Sequence, residues 1–216
     1  MPKPTKPTGT IQWATITPTS VDVQNFDFPR EKEEIEMLFA QKYVDRVKEV
    51  GIEVSIDKQN ETNDLDFNVT LSGRQAYLEL TEIAPLGVGG FKAAGESYEI
   101  LSFAVSIAEQ IEAKSMQCAA ATEKQKLLLL YTTDWRFAVV PNALEHLQFL
   151  MHSGNHGFLR IDIIEIRADG SADLRFIYPA ERQSWSEYDP KTHDGKHIVF
   201  ADVSKPLPRD QWPDRR

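Results

Sequence analysis

Residues 63–83 read NDLDFNVTLSGRQAYLELTEI and decide the fold that we expect for this chain. The segments 67–71 and 75–83 are rich in β-branched, aromatic and leucine residues, and apolar residues recur along both, which is typical of strands. Ser72 and Gly73 lie between them and form a dipeptide that favours a tight hairpin turn. The stretch therefore predicts two neighbouring antiparallel strands.

Three carboxylates lie close to one another in the predicted pairing, at the end of the hairpin away from the turn. Asp64 and Asp66 stand where the first strand begins, and Glu79 lies in the second strand beside them. Because hard divalent cations prefer carboxylate oxygens, the three residues are candidate metal ligands. The same sequence also fits a simpler interpretation, in which Asp64 and Asp66 are turn residues and Glu79 lies on a solvated strand face.

The elements on either side give an α/β pattern. Residues 31–50 show an apolar period of 3.6 and predict a helix, and a broad apolar stripe predicts a second helix at 96–117. The run KLLLLY at 126–131 is typical of a strand buried on both faces. The remaining expected elements are a strand at 52–57, a helix beginning at Pro141, strands at 158–166 and 172–178, and a short strand near 198–200. We therefore expect a mixed central sheet with helices packed on its faces.

Proline distribution suggests how the 216 residues are organised. Residues 1–30 contain five prolines and are expected to form an extended N-terminal arm with one short strand at 9–17. Residues 31–178 are expected to form a single α/β domain. Residues 179–216 are polar and rich in proline, and we expect a C-terminal extension there.

Composition excludes several classes of protein. The net charge of −9 argues against unspecific binding of nucleic acid through a broad basic face. The single cysteine, Cys118, excludes an internal disulfide framework and a cysteine-based zinc site, and it favours a reducing cytoplasm. No apolar run approaches the roughly 18 residues that span a bilayer, so no membrane association is expected.

The order helix, three-strand meander, helix, strand resembles the core of the PD-(D/E)xK, or restriction-endonuclease-like, superfamily. Residues 31–131 can be laid onto that core. Asp66 matches the motif aspartate at the start of the second core strand, and Glu79 followed by Leu80 matches the acidic residue and its spacer. Thr81 stands where the motif has lysine, so the chain departs from the pattern at that position.

The resemblance implies a nuclease that depends on Mg²⁺ or Mn²⁺ and hydrolyses phosphodiesters in DNA or RNA. In this superfamily the helix before the meander sometimes adds a glutamate, for which Glu31 or Glu34 is available. Because Thr81 carries no charge, the lysine that helps position the attacking water has to come from elsewhere. Lys92 in the glycine-rich loop and Lys114 late in the second helix are the candidates.

A second hypothesis is a non-catalytic interaction protein built on the same fold. Thr81 in place of lysine and the net charge of −9 favour it. It predicts a stable protein partner or a homo-oligomer, formed through an apolar or aromatic patch.

Overall fold

A six-stranded mixed sheet lies at the centre of the computed structural model. The structure describes residues 10–16, 21–60, 65–83, 97–119, 125–154, 156–180, 185–186, 188–193 and 195–199. The helices are α1 (Lys32–Glu49), α2 (Ile100–Cys118) and α3 (Pro141–Ser153). The strands are β1 (Thr10–Ile16), β2 (Val21–Asp27), β3 (Val54–Gln59), β4 (Phe67–Leu71), β5 (Arg74–Glu82), β6 (Ser97–Glu99), β7 (Gln125–Tyr131), β8 (Arg160–Ile166), β9 (Ala172–Tyr178) and β10 (His197–Val199).

The strand order of this sheet is β3-β4-β5-β7-β8-β9. The first three strands form an antiparallel meander, β7 and β8 continue it in parallel, and β9 returns antiparallel to β8. The mixed sheet flanked by helices confirms the predicted fold class. It is consistent with a nuclease-like α/β fold, because helix, meander, helix and parallel strand follow one another as expected.

The turn between β4 and β5 sets the register of the central hairpin. Ser72 and Gly73 have φ values of 48° and 76°, which is the geometry of a two-residue turn with both central residues in the left-handed region. Gly73 meets this requirement without a steric penalty. The turn places Phe67 opposite Leu78, so the residue before Phe67 lies opposite Glu79.

Apolar side chains on the two faces of the sheet form two cores. On β5, Leu78 and Leu80 pack on the α1 side, whereas α2 and α3 cover the opposite face. Strand β7 contributes to both cores: Leu127 and Leu129 lie on one side, and its alternate leucines lie on the other. The apolar run at 126–131 is therefore a strand buried on both faces, as predicted.

Two strands lie within the described part of residues 1–30. Strands β1 and β2 form an antiparallel hairpin, whereas the sequence predicts only one short strand. The VDVQNFD sequence of β2 has too few apolar residues to stand out as a strand. Beyond the hairpin, Phe28 is buried and stacks on Phe39, with ring centroids 5.6 Å apart.

The C-terminal extension also contacts the domain where the structure describes it. Trp185 is buried and lies near Phe149 of α3. Tyr188 packs on the same phenylalanine and forms a hydrogen bond of 3.1 Å with His146 Nδ1. The short strand expected near 198–200 is β10, which pairs antiparallel with β6. Among the described helices, none has both the length and the apolar character needed to cross a bilayer.

Phe39 is the centre of the α1 core. It is fully buried between Phe28 and Tyr131, and its ring centroid lies 4.5 Å from that of Tyr131. We expect Phe39→Ala to lower the free energy of unfolding by about 3–5 kcal/mol, because the lost apolar contacts leave a cavity. Urea unfolding followed by circular dichroism measures the change. As the control, Val105→Ala on the exposed face of α2 should change it by less than about 0.5 kcal/mol, and equal losses in the two variants would contradict this packing.

Asp162 is a buried carboxyl group in the same core. It lies on β8 with 2% exposure and pairs with Arg160, whose Nε is 2.6 Å from Asp162 Oδ2. Burial raises the pKa of Asp162 to about 6, although the charge of Arg160 lowers it in part. The folded protein therefore binds this proton more tightly than the unfolded chain does, so the contribution of Asp162 to stability falls as the pH rises through this range.

We expect the pH dependence of stability to change in Asp162→Asn. In the wild type this carboxyl lowers the free energy of unfolding by roughly 2–3 kcal/mol as the pH rises from about 4 to about 7. The variant lacks that loss, so its stability relative to the wild type should increase with pH. Urea unfolding at several pH values measures the difference, with the exposed Asp45→Asn on α1 as the control. Parallel curves for the wild type and Asp162→Asn would show that the carboxyl does not titrate in this range.

Candidate functional site

Asp66 and Glu79 lie opposite each other where β4 begins. The Asp66 backbone N–H donates to Glu79 Oε2 at 3.2 Å, and the Leu80 N–H donates to Asp66 Oδ2 at 2.7 Å. Asp66 is half-buried, whereas Glu79 is only 4% exposed. Glu79 therefore does not lie on a solvated face, and the simpler interpretation is wrong for this residue.

Lys114 completes a three-residue cluster. Its side chain comes from near the C-terminal end of α2, and its Nζ lies 2.5 Å from Glu79 Oε1. The Lys114 side chain is 26% exposed, so the cluster reaches solvent on the α2 side. The structure thus brings together three of the predicted site residues, Asp66, Glu79 and Lys114, whose catalytic roles stay predictions.

Burial and charge act in opposite directions within this cluster. Burial, followed by the negative charge of Asp66, raises the pKa of Glu79, and the hydrogen bond from Lys114 offsets only part of the rise. Burial by itself lowers the pKa of Lys114, but the hydrogen bond and charge of Glu79 outweigh it, so the pKa of Lys114 is raised. Lys114 is therefore a firmly protonated cation beside a carboxylate that is costly to ionise.

The α1 glutamates differ in their burial. Glu31 and Glu34 are exposed, whereas Glu36 is 5% exposed and pairs with Lys32 at 2.9 Å. Burial raises the pKa of Glu36, and the charge of Asp66 raises it further. Glu36 is thus an α1 carboxylate whose pKa is affected by the charge of a site residue, Asp66.

A helical spacing argument from the sequence would have found Glu36. It stands three and four residues before Phe39 and Ala40, which are fully buried. Residues with this spacing share one face of a helix. Glu36 is therefore an acidic residue in the buried stripe of α1, and that position is a stronger signal than closeness to the start of the helix.

Two of the predicted site residues, Asp64 and Lys92, lie outside the residues that the structure describes. Thr81, at the position of the motif lysine, is on β5 and has a buried hydroxyl with no hydrogen-bond partner in the described part of the chain. A threonine side chain cannot supply the positive charge of lysine. Among the described residues, the cation that contacts the Glu79 carboxylate is Lys114.

The chemistry of the carboxylate pair fits a hard divalent cation. Magnesium is commonly held by one or two carboxylates and several waters, and Asp66 and Glu79 would supply that number of protein ligands. Within the described ranges, no group of three His, Cys, Asp or Glu side chains is arranged to hold an ion. Because Glu79 Oε1 pairs with Lys114, a cation bound at that oxygen would have to displace the ammonium group.

Comparisons with known proteins do not identify a family. No protein-family model matches the sequence, and no curated protein matches it. Among solved structures, the chain is similar to that of SfsA from Pyrococcus furiosus in complex with Ca²⁺. The match has 10% sequence identity and a TM-score of 0.30, and it covers 76% of this chain and 75% of the other. Similarity this low carries no argument, so the α/β fold class rests on the helices and strands described above.

We expect a strong energetic coupling between Glu79 and Lys114. Lys114→Met should lower the free energy of unfolding by about 1–3 kcal/mol, because it leaves a buried carboxylate without its cation. The partial exposure of Lys114 keeps the loss below that of a fully buried pair. Adding Glu79→Gln removes the uncompensated charge, so the double variant should lose less stability than the sum of the single variants. Urea unfolding of all four proteins at pH 7 measures the coupling.

Two exposed residues provide matched controls for this measurement. Lys58→Met on β3 and Glu112→Gln on α2 make the same chemical changes at solvated positions. Neither should change stability measurably, and their effects should add. Additive effects at Glu79 and Lys114 as well would show that the two side chains do not form the ion pair in solution.

Proposed function

We propose that this protein is a divalent-metal-dependent nuclease, or a diverged relative of one, that hydrolyses phosphodiester bonds in DNA or RNA. The observation that carries the proposal is the convergence of Asp66, Glu79 and Lys114 at the start of β4. Two carboxylates and one cation at that position supply the residue types of the PD-(D/E)xK motif. Lys114 would take the role of the motif lysine, whose position in the sequence is occupied by Thr81.

Each residue has a distinct role in this proposal. Asp66 and Glu79 would hold Mg²⁺ or Mn²⁺ through their carboxylate oxygens. The bound cation would supply Lewis acidity, which lowers the pKa of an attacking water and stabilises charge on the phosphate. Lys114 would help to orient that water, and its raised pKa keeps it cationic beside the anionic substrate.

The hydrogen bonds within the cluster support a fixed geometry for these groups. Asp66 accepts from the Leu80 backbone, and Glu79 accepts from the Asp66 backbone, so each carboxylate is held by the neighbouring strand. Side chains held in this way lose little entropy when a ligand binds, which favours catalysis. The half-buried Asp66 and the partly exposed Lys114 leave the cluster open to solvent on those sides.

We expect metal-dependent cleavage of a nucleic acid that depends on the three residues. Purified protein is incubated with end-labelled single- and double-stranded DNA and RNA, in Mg²⁺, in Mn²⁺ or in a chelator. The wild type should cleave at least one substrate only when the cation is present. Asp66→Asn, Glu79→Gln and Lys114→Met should each slow cleavage on the order of 100-fold or more, because the first two remove a ligand of the metal and the third removes a cation beside the phosphate.

Matched variants separate this effect from loss of folding or from a contaminating nuclease. Lys58→Met and Glu112→Gln should cleave at the wild-type rate, since both side chains are exposed and lie on β3 and the outer face of α2. Circular dichroism should show that every variant is folded. Cleavage that survives both Asp66→Ala and Glu79→Ala would discard the assignment.

The alternative is a non-catalytic interaction protein, and one observation favours it. The ammonium group of Lys114 already compensates the Glu79 carboxylate, so the cluster is satisfied without a metal. This alternative predicts no shift of the melting temperature in Mg²⁺ or Mn²⁺, together with self-association or a stable protein partner. A rise of the melting temperature in either cation that Glu79→Gln abolishes would count against it.

A further inference from the structure

The C-terminal end of α2 is held by a lysine from another element. The last carbonyl groups of a helix have no partner within the helix, and the final turn of α2 contains no basic residue. Lys126 Nζ donates to the Cys118 carbonyl oxygen at 2.6 Å. A cation at this end also interacts favourably with the helix dipole. Lys126 therefore caps the helix that carries Lys114.

Lys126 is part of the strand pair that positions Glu79. It lies on β7 in register with Tyr77 of β5, and Leu128, two residues later, is in register with Glu79. Side chains two residues apart on a strand share a face, so Lys126 and Leu128 point to the α2 side. The contact from Lys126 thus ties the end of α2 to the same strands that hold the Glu79 carboxylate.

A second contact holds the end of α2 from another direction. The hydroxyl of Ser115, the residue after Lys114, donates to the His156 carbonyl oxygen. This carbonyl belongs to the segment between α3 and β8, whereas Lys126 approaches from β7. The last turn of α2 is therefore fixed on two sides, which limits the movement of the backbone at Lys114.

We propose that Lys126 is a positioning residue that holds the end of α2 so that the Lys114 ammonium group reaches Glu79. Lys126 does so through the Cys118 carbonyl, and it forms no ion pair with Asp66 or Glu79, the site carboxylates that the structure describes. The expected effect of Lys126 on cleavage rests on the nuclease function proposed above, whereas its expected effect on the position of Lys114 does not. The placement of Lys114 beside Glu79 is measured separately, in the absence of metal and nucleic acid.

The test compares Lys126→Met, which keeps the aliphatic chain but removes the donor, with Lys126→Arg, which restores a donor and the charge. The ¹H–¹⁵N NMR signal of the Lys114 ammonium group, identified by its loss in Lys114→Met, reports the ion pair because paired ammonium protons exchange slowly. This signal should be present in the wild type, lost in Lys126→Met and retained in Lys126→Arg. Amide hydrogen exchange in the last turn of α2 should become about tenfold faster in Lys126→Met, which corresponds to the loss of one charge-assisted hydrogen bond.

Two further variants make the outcome specific. Lys58→Met, an exposed lysine on an edge strand, should leave both the signal and the exchange rates unchanged. If Lys126→Met does not fold, Ser115→Ala should weaken the Lys114 signal by loosening the same turn, and Lys126→Arg should still retain it.

The cleavage rate gives a separate measurement. In the wild-type background, cleavage should fall in Lys126→Met and recover in Lys126→Arg. In the Lys114→Met background, Lys126→Met should cause no further loss of cleavage.

The result that would overturn the inference is an unchanged Lys114 signal and unchanged exchange of the last turn in folded Lys126→Met. Absence of cleavage by the wild type would instead count against the proposed nuclease function. The NMR and exchange measurements would then still decide whether Lys126 positions Lys114.

Discussion

The ion pair between Glu79 and Lys114 is the interaction on which the candidate site depends. Glu79 projects from the central hairpin into the interface with α2, where an ionised carboxylate without a partner would be costly. The ammonium group of Lys114 compensates that charge at 2.5 Å. Since one partner is in a strand and the other is in a helix, the pair also fixes how the end of α2 lies on the sheet.

Strand β5 connects the parts of the sheet that meet at this site. It pairs antiparallel with β4, which brings Asp66 beside Glu79, and parallel with β7, which brings Lys126 to the end of α2. Its alternating side chains face α1 on one side and α2 on the other. Asp66 lies directly before β4, and its charge raises the pKa of both Glu36 on the α1 side and Glu79 on the α2 side. The cluster thus lies at the start of β4, where α1 approaches from one face of the sheet and α2 from the other.

The sequence predicts most of the central elements well because their signals are local. The two-residue turn at Ser72 and Gly73 determines which residues of β4 and β5 face each other. Helix α1 is predicted by apolar residues that recur every 3.6 residues, and the buried strand β7 is predicted by a continuous run of apolar residues. Strands β2 and β6 are missed, because β2 has few apolar residues and β6 has only three residues, held by pairing with the distant β10. The aromatic contacts of Trp185 with α3 are likewise long-range.

The sequence by itself determined that Asp66 and Glu79 lie opposite each other, since a tight turn and a strand period of two leave only one register with the apolar residues buried. The resemblance also offered Lys92 and Lys114 as candidates for the lysine that the motif has at the position of Thr81. Only the tertiary structure decided that Lys114 reaches Glu79, that Glu36 is the buried α1 glutamate, and that Glu79 is shielded from solvent. These outcomes depend on the rotation and position of each helix against the sheet. Packing over the whole core sets that position, and no short stretch of sequence encodes it.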